Sequence, residues 1–379
     1  MHRRFCLLMS LVLLMTCLNV SLTMAEDVQS APLTRSSGAL NGMVRVYLST
    51  LGNLSQLDVT VSGSYIADGA QDVTLSHGES VSVLFSKATG EIVLRRGGTN
   101  ISMGTEMVLR RRAVDGESGL RLAQARMPGN LYPGDLHLKA QAASGGYRLY
   151  PILHVYLEYY LHGVLPYEMG NTAPIEALKA QAVAARTYTL NKMNIRGSAF
   201  YDVVDTTSDQ VYYGNSDATT NCTAAVDATR GIVVMNGNAL TGTYYTASNG
   251  GQTESARNVW GSAGYGYLAV KDDPFDRMNT AAIVRKATIY ADNTASAQPE
   301  GWRSLMTAKA TSALQAMGKS TAGLQVTQVH SITPHTPMFD PPSRLYTLLD
   351  VEVTAATNAG SYRLTLTLDI FDEVEAALG

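Results

Sequence analysis

The stretch "LHGVLPYEMGNTAPIEALKAQAVAARTYTL" (Leu161 to Leu190) sets one carboxylate, Glu168, ahead of an alanine-rich run. From Pro174 to about Asn194 the pattern predicts a helix. Pro174 suits a first turn, where its missing N–H costs nothing. Glu176 lies near the positive end of the helix dipole. Ile175, Leu178, Ala182, Ala185 and Thr189 recur at spacings of three and four, which marks a buried stripe. The alanines raise helix propensity and permit close packing. Lys179 and Arg186 are seven residues apart, so they share a face at about 10 Å along the axis. On composition alone, Glu168 reads as a solvated glutamate before a helix. Its neighbours Leu165, Pro166, Tyr167 and Met169 leave a second reading open: an acid lining a cleft, where desolvation would favour the neutral form.

Outward from the helix the periodicity changes. Toward the N-terminus, "MVRVYLST" (43–50), "LDVTVSGSYI" (57–66), "SVSVLFSK" (80–87) and "GEIVLRRGG" (90–98) alternate apolar and polar residues and end in turn residues. "GGYRLYPILHVYLEYY" (145–160) passes from a strand into a short helix. Toward the C-terminus, "GIVVMNGNALTGTYYTASNGG" (231–251) reads as a strand, an Asn-Gly turn and a second strand. "GWRSLMTAKATSALQAMG" (301–318) reads as a helix closed by Gly318. In "LYTLLDVEVTAATNAGSYRLTLTLDIF" (345–371), Tyr362, Leu364, Leu366, Leu368 and Ile370 alternate, which predicts two antiparallel strands. The class is therefore α+β, mixed and two-lobed. We expect a β-rich module over 43–130, a core over 131–280 built round the alanine-rich helix, and a helix and β-hairpin over 281–379 completing that core.

The chain has 379 residues, is 45% hydrophobic and 16% charged, and carries a net charge of -3. It is long enough for more than one hydrophobic core and too apolar for a disordered chain. Residues 1–25 start with the basic "MHRR", continue through the apolar "FCLLMSLVLLMTCLNVSL" and end on "TMA". This reads as a secretory signal cleaved after Ala25, or as an uncleaved membrane anchor, since the apolar run is near the length of a span. The expected location is secreted or extracytoplasmic. Residues 26–42 are small and polar, a tether. Setting aside Arg3 and Arg4, 27 basic side chains face 32 acidic ones, which disfavours nucleic acid as a partner. Of three cysteines, Cys6 and Cys17 fall in the signal and Cys222 stands alone. That excludes a disulfide scaffold and a cysteine-rich zinc site.

The motifs of several chemistries are missing. The seven histidines form no HExxH and no pair at ligand spacing, no glycine-rich loop has phosphate-cradle form, and there is no GxSxG elbow. Ser248, in "TASNGG", sits in turn chemistry. We expect no metal and no cofactor. Two stretches, "YDVVDTTSDQVYYG" (201–214) and "YYTASNGGQTESARNVWG" (244–261), mix acids, hydroxyls, amides and aromatics. Sugars bind to aromatic faces with small polar partners, so Tyr212, Tyr245 and Trp260 suit a glycan groove. Turns with ordinary core aromatics are the other reading.

Together these stretches carry a resemblance. "YLEYYLHGVLPYEMGNTAPIEALKAQAVAARTYTL" (156–190) resembles the signature of the SpoIID/LytB family, the stage II sporulation protein D and amidase-enhancer group: an acid-tyrosine-leucine start, G-V-x-P-x-E-M, then EALKAQAVAARTY. "TSDQVYYG", "YYTASNGGQTES", "VWG" and "YLAVKDDPFD" follow in the family's order, and "YPGDLHL" (132–138) resembles its lead-in. The resemblance covers roughly Tyr132 to Asp276 and implies a protein acting on bacterial peptidoglycan. It implies a lytic transglycosylase on strands stripped of stem peptides, with Glu168 as catalytic acid. Lys179 and Arg186 match the cations of the family's helix, and Gln210, Tyr212, Tyr245 and Ser248 match later polar and aromatic positions. The alternative it implies is a non-catalytic, wall-binding enhancer of an N-acetylmuramoyl-L-alanine amidase. Asp209 stands where some members carry a zinc-associated cysteine, so no zinc site is carried over. The chain reaches Gly379 without the G-H-G-V-G-M-S-Q segment with which many members end. Asp202, Asp205, Asp209 and Glu254 are available as second acids, so hydrolysis stays open beside transglycosylation.

Overall fold

The computed structural model describes residues 22–23, 42–197, 199–261, 265–278 and 288–378. Apart from Leu22–Thr23, the expected signal segment lies outside the described residues, as does the tether up to residue 41. Among the described residues, one compact unit ends at Tyr244 and a second begins at Tyr245. The division falls inside the 131–280 span read as one core. No described helix is long and apolar enough to cross a membrane.

The first unit holds one small sheet and two larger ones. β1 (Leu22–Thr23) pairs with β14 (Val233–Asn236), which pairs with β15 (Ala239–Leu240). The turn between β14 and β15 includes Gly237 at φ 59, as the Asn-Gly signal requires. The second strand of that hairpin stops at Leu240 and does not run on through the Ser248 stretch. β2 (Met43–Tyr47), β4 (Tyr65–Asp68), β5 (Asp72–Leu75), β9 (Glu106–Arg111), β11 (Gly134–Ala143), β12 (Gly146–Tyr156) and β13 (Val203–Val204) form a seven-stranded sheet in the order β13-β2-β12-β11-β9-β4-β5. β3 (Gln56–Ser62), β6 (Ser80–Phe85), β7 (Ile92–Arg96), β8 (Thr99–Gly104) and β10 (Gly119–Leu122) form a five-stranded sheet in the order β10-β3-β6-β7-β8.

Alternation along these strands decides what is buried. Leu57, Val59 and Val61 of β3 face inward, as do Val81 and Val83 of β6, while Asp58, Thr60 and Ser82 between them are more exposed. Each such side chain contributes about 1.5–3 kcal/mol when fully buried. The two larger sheets share one core with α1 (Leu157–Met169), α2 (Ile175–Ile195) and α3 (Thr220–Ala228). The β-rich stretch is thus not a separate body from the helices that follow it.

Pro174 is the N-cap of α2 and Ile175 its first residue, close to the reading from sequence. Leu178, Ala182, Ala185 and Thr189 are buried as expected, but Ile175 is 43% exposed. It lies in the first turn, beyond the reach of the packing partners that cover the later turns. Ala182 to Thr187 is buried without a break, a wider face than the stripe read from spacing.

The second unit holds α4 (Ala256–Trp260), α5 (Pro274–Met278), α6 (Glu300–Ala316), α7 (Glu375–Leu378) and a three-stranded antiparallel sheet. Its strands are β16 (Gln325–Pro337), β17 (Tyr346–Thr357) and β18 (Gly360–Asp369). Trp302, Met306, Ala310 and Leu314 of α6 pack with Val351, Val353, Leu366 and Leu368 of the strands. β17 and β18 are the two strands expected; β16 is an addition. It is an edge strand, mostly exposed and carrying Pro334 and Pro337, which suits an edge and hides it from a search for alternation.

Candidate functional site

Glu168 lies in the last turn of α1, ahead of the Gly170 cap, not in the turn that starts α2. Its carboxylate is part-buried, and Oε1 accepts the Val211 N–H at 3.4 Å. The carbonyls of a last turn disfavour an anion by about 0.3–1 kcal/mol, and the Val211 donor opposes that effect. So the G-V-x-P-x-E-M motif and the Q-V-Y motif, far apart in sequence, meet at this carboxylate.

Gly163 makes that meeting possible. A Cβ on Gly163 would come 2.4 Å from Tyr212 Cε2 and 2.8 Å from the Gly214 carbonyl oxygen. Without it, the segment 210–215 lies directly on α1. Gln210 is fully buried there: its Oε1 accepts from Thr189 at 2.7 Å and from Tyr160 at 3.3 Å, and its amide donates to the Ala185 carbonyl at 3.4 Å. Tyr212 is also fully buried, 5.1 Å from the Tyr160 ring and 5.8 Å edge-on from Tyr132. Burial pushes its phenol well above the usual range. Neither side chain offers a face to a ligand in this arrangement. They join α1, α2 and the Q-V-Y segment, which corrects the reading of Tyr212 as a glycan platform.

The two cations of α2 have separate surroundings. Arg186 is 1% exposed and forms a fork with Glu158, Nε to Oε1 at 2.9 Å and Nη2 to Oε2 at 2.7 Å. Its remaining donors reach the Ile232 carbonyl at 3.1 Å and the Val226 carbonyl at 3.2 Å. It ties α2 to the first turn of α1 and to the end of α3. Direct contact with a ligand, expected from the resemblance, is closed to it by burial. Lys179 is one-third exposed and pairs with Glu176 one turn earlier at 2.7 Å.

The acids near the Q-V-Y motif are also tied into the fold. Asp209, 1% exposed, sits between Lys192 at 2.7 Å and Arg196 at 3.3 Å, and accepts from Tyr188 and Val204 N–H. An aspartate serves that cation pair where a cysteine would not. Asp202 is gripped by Arg45 at 2.7 Å. Asp205 accepts from Ser49 at 2.8 Å and from Thr50; burial raises its carboxyl above the usual range, and these hydrogen bonds oppose the shift. Among the described residues no group of three or more His, Cys, Asp or Glu is arranged to hold a metal.

Sequence reasoning passed over a wall beside Glu168. Tyr167, next to it on α1, packs edge-on against Tyr213 at 4.8 Å. Asn130 donates to the Tyr167 hydroxyl at 3.1 Å and the Tyr213 carbonyl at 3.0 Å. Leu131 and Asn215 exchange backbone hydrogen bonds at 2.9 and 2.7 Å. The "YYG" aromatics were visible in sequence, but their partners on residues 126–131 were not.

Tyr245, Ser248, Glu254 and Trp260 belong to the second unit. Ser248 Oγ donates to Asp276 at 2.7 Å, and the neighbouring Asn249 reaches both Asp276 and Asp273. Glu254 is 3% exposed and accepts from Ser343 and Asn258. These bonds hold the "SNGGQTES" and "DDPFD" stretches together as one turn network. Tyr245 is partly exposed and Trp260 is 39% exposed.

Residues 147–236 match the family model described as SpoIID, Stage II sporulation protein. The match is to that segment, not to the whole chain. It contains Glu168, Lys179, Arg186, Gln210 and Tyr212; Tyr245 and Ser248 lie beyond it. The chain is similar to an uncharacterized protein of Brachyspira hyodysenteriae, 44% identical over 108 residues, 28% of this chain and 29% of that one. It is similar to an amidase enhancer of Bacillus subtilis, 36% identical over 147 residues, 39% of this chain and 20% of the relative. It is also similar to stage II sporulation protein D of Bacillus subtilis, 37% identical over 138 residues, 32% of this chain and 39% of the relative. The chain thus spans less than two fifths of the length of each of these relatives.

Proposed function

We propose that this is an exported, cell-wall-related protein of the sporulation and amidase-enhancer group. In this reading it cleaves peptidoglycan glycan strands as a lytic transglycosylase, with Glu168 as the acid. The carrying observation is the place of Glu168. It stands part-buried at the end of α1, where the two family motifs meet, and accepts the Val211 N–H. In the mechanism, protonated Glu168 gives its proton to the glycosidic oxygen as the C1–O bond breaks. The C6 hydroxyl of the same muramic ring forms the new bond to C1, and its proton returns to the carboxylate. The product carries a 1,6-anhydro end, and one carboxylate serves as acid and then base.

The name of the amidase-enhancer relative favours a second reading, a wall-binding protein that stimulates an amidase. The deciding experiment incubates the full chain with purified glycan strands free of stem peptides and follows the ends by mass spectrometry. Anhydro ends are expected. Glu168→Gln should lower their formation by about 10² to 10⁴ with an unchanged melting curve. Reducing ends would replace transglycosylation by hydrolysis. A Glu168→Gln variant that cuts at the wild-type rate would remove Glu168 from the chemistry. Intact strands, with an amidase running faster in the protein's presence, would install the enhancer reading.

A further inference from the structure

The wall beside Glu168 ends in a cation. Arg126 projects from the turn after β10, is exposed, and lies over the Tyr213 ring with its guanidinium carbon 5.1 Å from the centroid. Its Nη1 donates to the Tyr213 hydroxyl at 2.9 Å. Among the described residues it has no carboxylate partner, so its free edge is open to a ligand's carboxylate. The Tyr213 platform is itself fixed by Tyr167, by Asn130 and by the Leu131–Asn215 pairing.

Three physical points follow. A guanidinium stacked on a ring is already oriented, so less rotamer freedom is lost when it binds. Its planar edge matches a carboxylate with two parallel N–H···O bonds, which a lysine cannot reproduce. Its platform, Tyr213, is two residues from Val211, whose N–H meets Glu168; that is at most about 7 Å of chain. We infer that Arg126 is a specificity residue that recognises a carboxylate borne by a sugar of the bound strand. The inference rests on the glycan reading of the site. The assignment lies outside residues 147–236 and comes from the loop that the β-rich stretch lends to α1.

The test measures binding to the full chain carrying Glu168→Gln, so that no bond is cut. Two probes are used: a neutral N-acetylglucosamine oligomer, and an oligomer of alternating N-acetylglucosamine and N-acetylmuramic acid with free lactyl carboxylates. The acidic probe should bind about three- to tenfold more tightly, with a preference that fades as salt is raised. Arg126→Gln should erase the preference and leave neutral-probe affinity and melting temperature unchanged; Arg126→Lys should restore part of it. A preference that survives Arg126→Gln, or an equal loss for both probes, overturns the assignment. Equal affinity for the two probes before substitution overturns it too, while leaving the glycan reading intact. If neither probe binds, the glycan reading falls and the inference with it.

Discussion

The two ends of α1 carry the same residue in opposite circumstances. At the first turn Glu158 is 13% exposed and held by Arg186, which is 1% exposed. At the last turn Glu168 is part-buried and meets a backbone N–H from the Q-V-Y segment. A carboxylate that exchanges a proton with a ligand must be reachable, which one enclosed in a buried ion pair is not. In the proposed reading Glu158 has the structural role and Glu168 the chemical one. The two cations of α2 divide in the same way, Arg186 inward and Lys179 at the surface.

The largest test of that division is Arg186→Met. It leaves the largely enclosed Glu158 carboxylate without its fork; breaking a buried pair in this way costs about 3–5 kcal/mol. Chemical denaturation should register this as a fall in the unfolding midpoint. Adding Glu158→Leu should recover most of the loss, since a buried ion pair replaced by apolar packing is often neutral. A variant that unfolds like wild type but no longer cleaves glycan would return Arg186 to the groove.

Gly163→Ala comes next. The added methyl must displace Tyr212 or the Gly214 carbonyl. Overpacking of this kind costs about 1–3 kcal/mol, partly offset by the better helix propensity of alanine, about 1 kcal/mol. Because the displaced segment is the one that meets Glu168, cleavage should fall together with the unfolding midpoint. An unchanged midpoint would mean that the segment yields easily and does not support the carboxylate.

The smallest effect is expected for Lys179→Met. Its pair with Glu176 is at the surface, so stability should stay within about 0.5 kcal/mol. Cleavage should drop by more than stability if, as the resemblance implies, this cation serves the groove. Full cleavage in the variant would make Lys179 an ordinary solvated side chain.

What could be read before folding was what depends on near neighbours in the chain. The course of α2 follows from proline at its start, a glutamate in its first turn and apolar spacing of three and four. The strands β3, β6 and β18 follow from their alternation. Glu168 drew attention through the motif around it, which is local as well. Composition could not separate a solvated glutamate from a positioned acid, because that difference lies in what approaches from elsewhere.

Tertiary structure alone decided the partners. Glu158 and Arg186 are 28 residues apart, and Glu168 and Val211 are 43 apart; no sequence period spans such gaps. Identical spacing put Lys179 and Arg186 on one face, yet α3 and the first turn of α1 cover only the second of them. The edge strand β16 escaped notice because its mostly exposed residues lack a buried alternation. Residue type and spacing therefore determined the elements, and the resemblance of a local motif nominated the acid. Burial, which depends on every element packed around a side chain, determined which charges hold the fold and which remain within reach of a ligand.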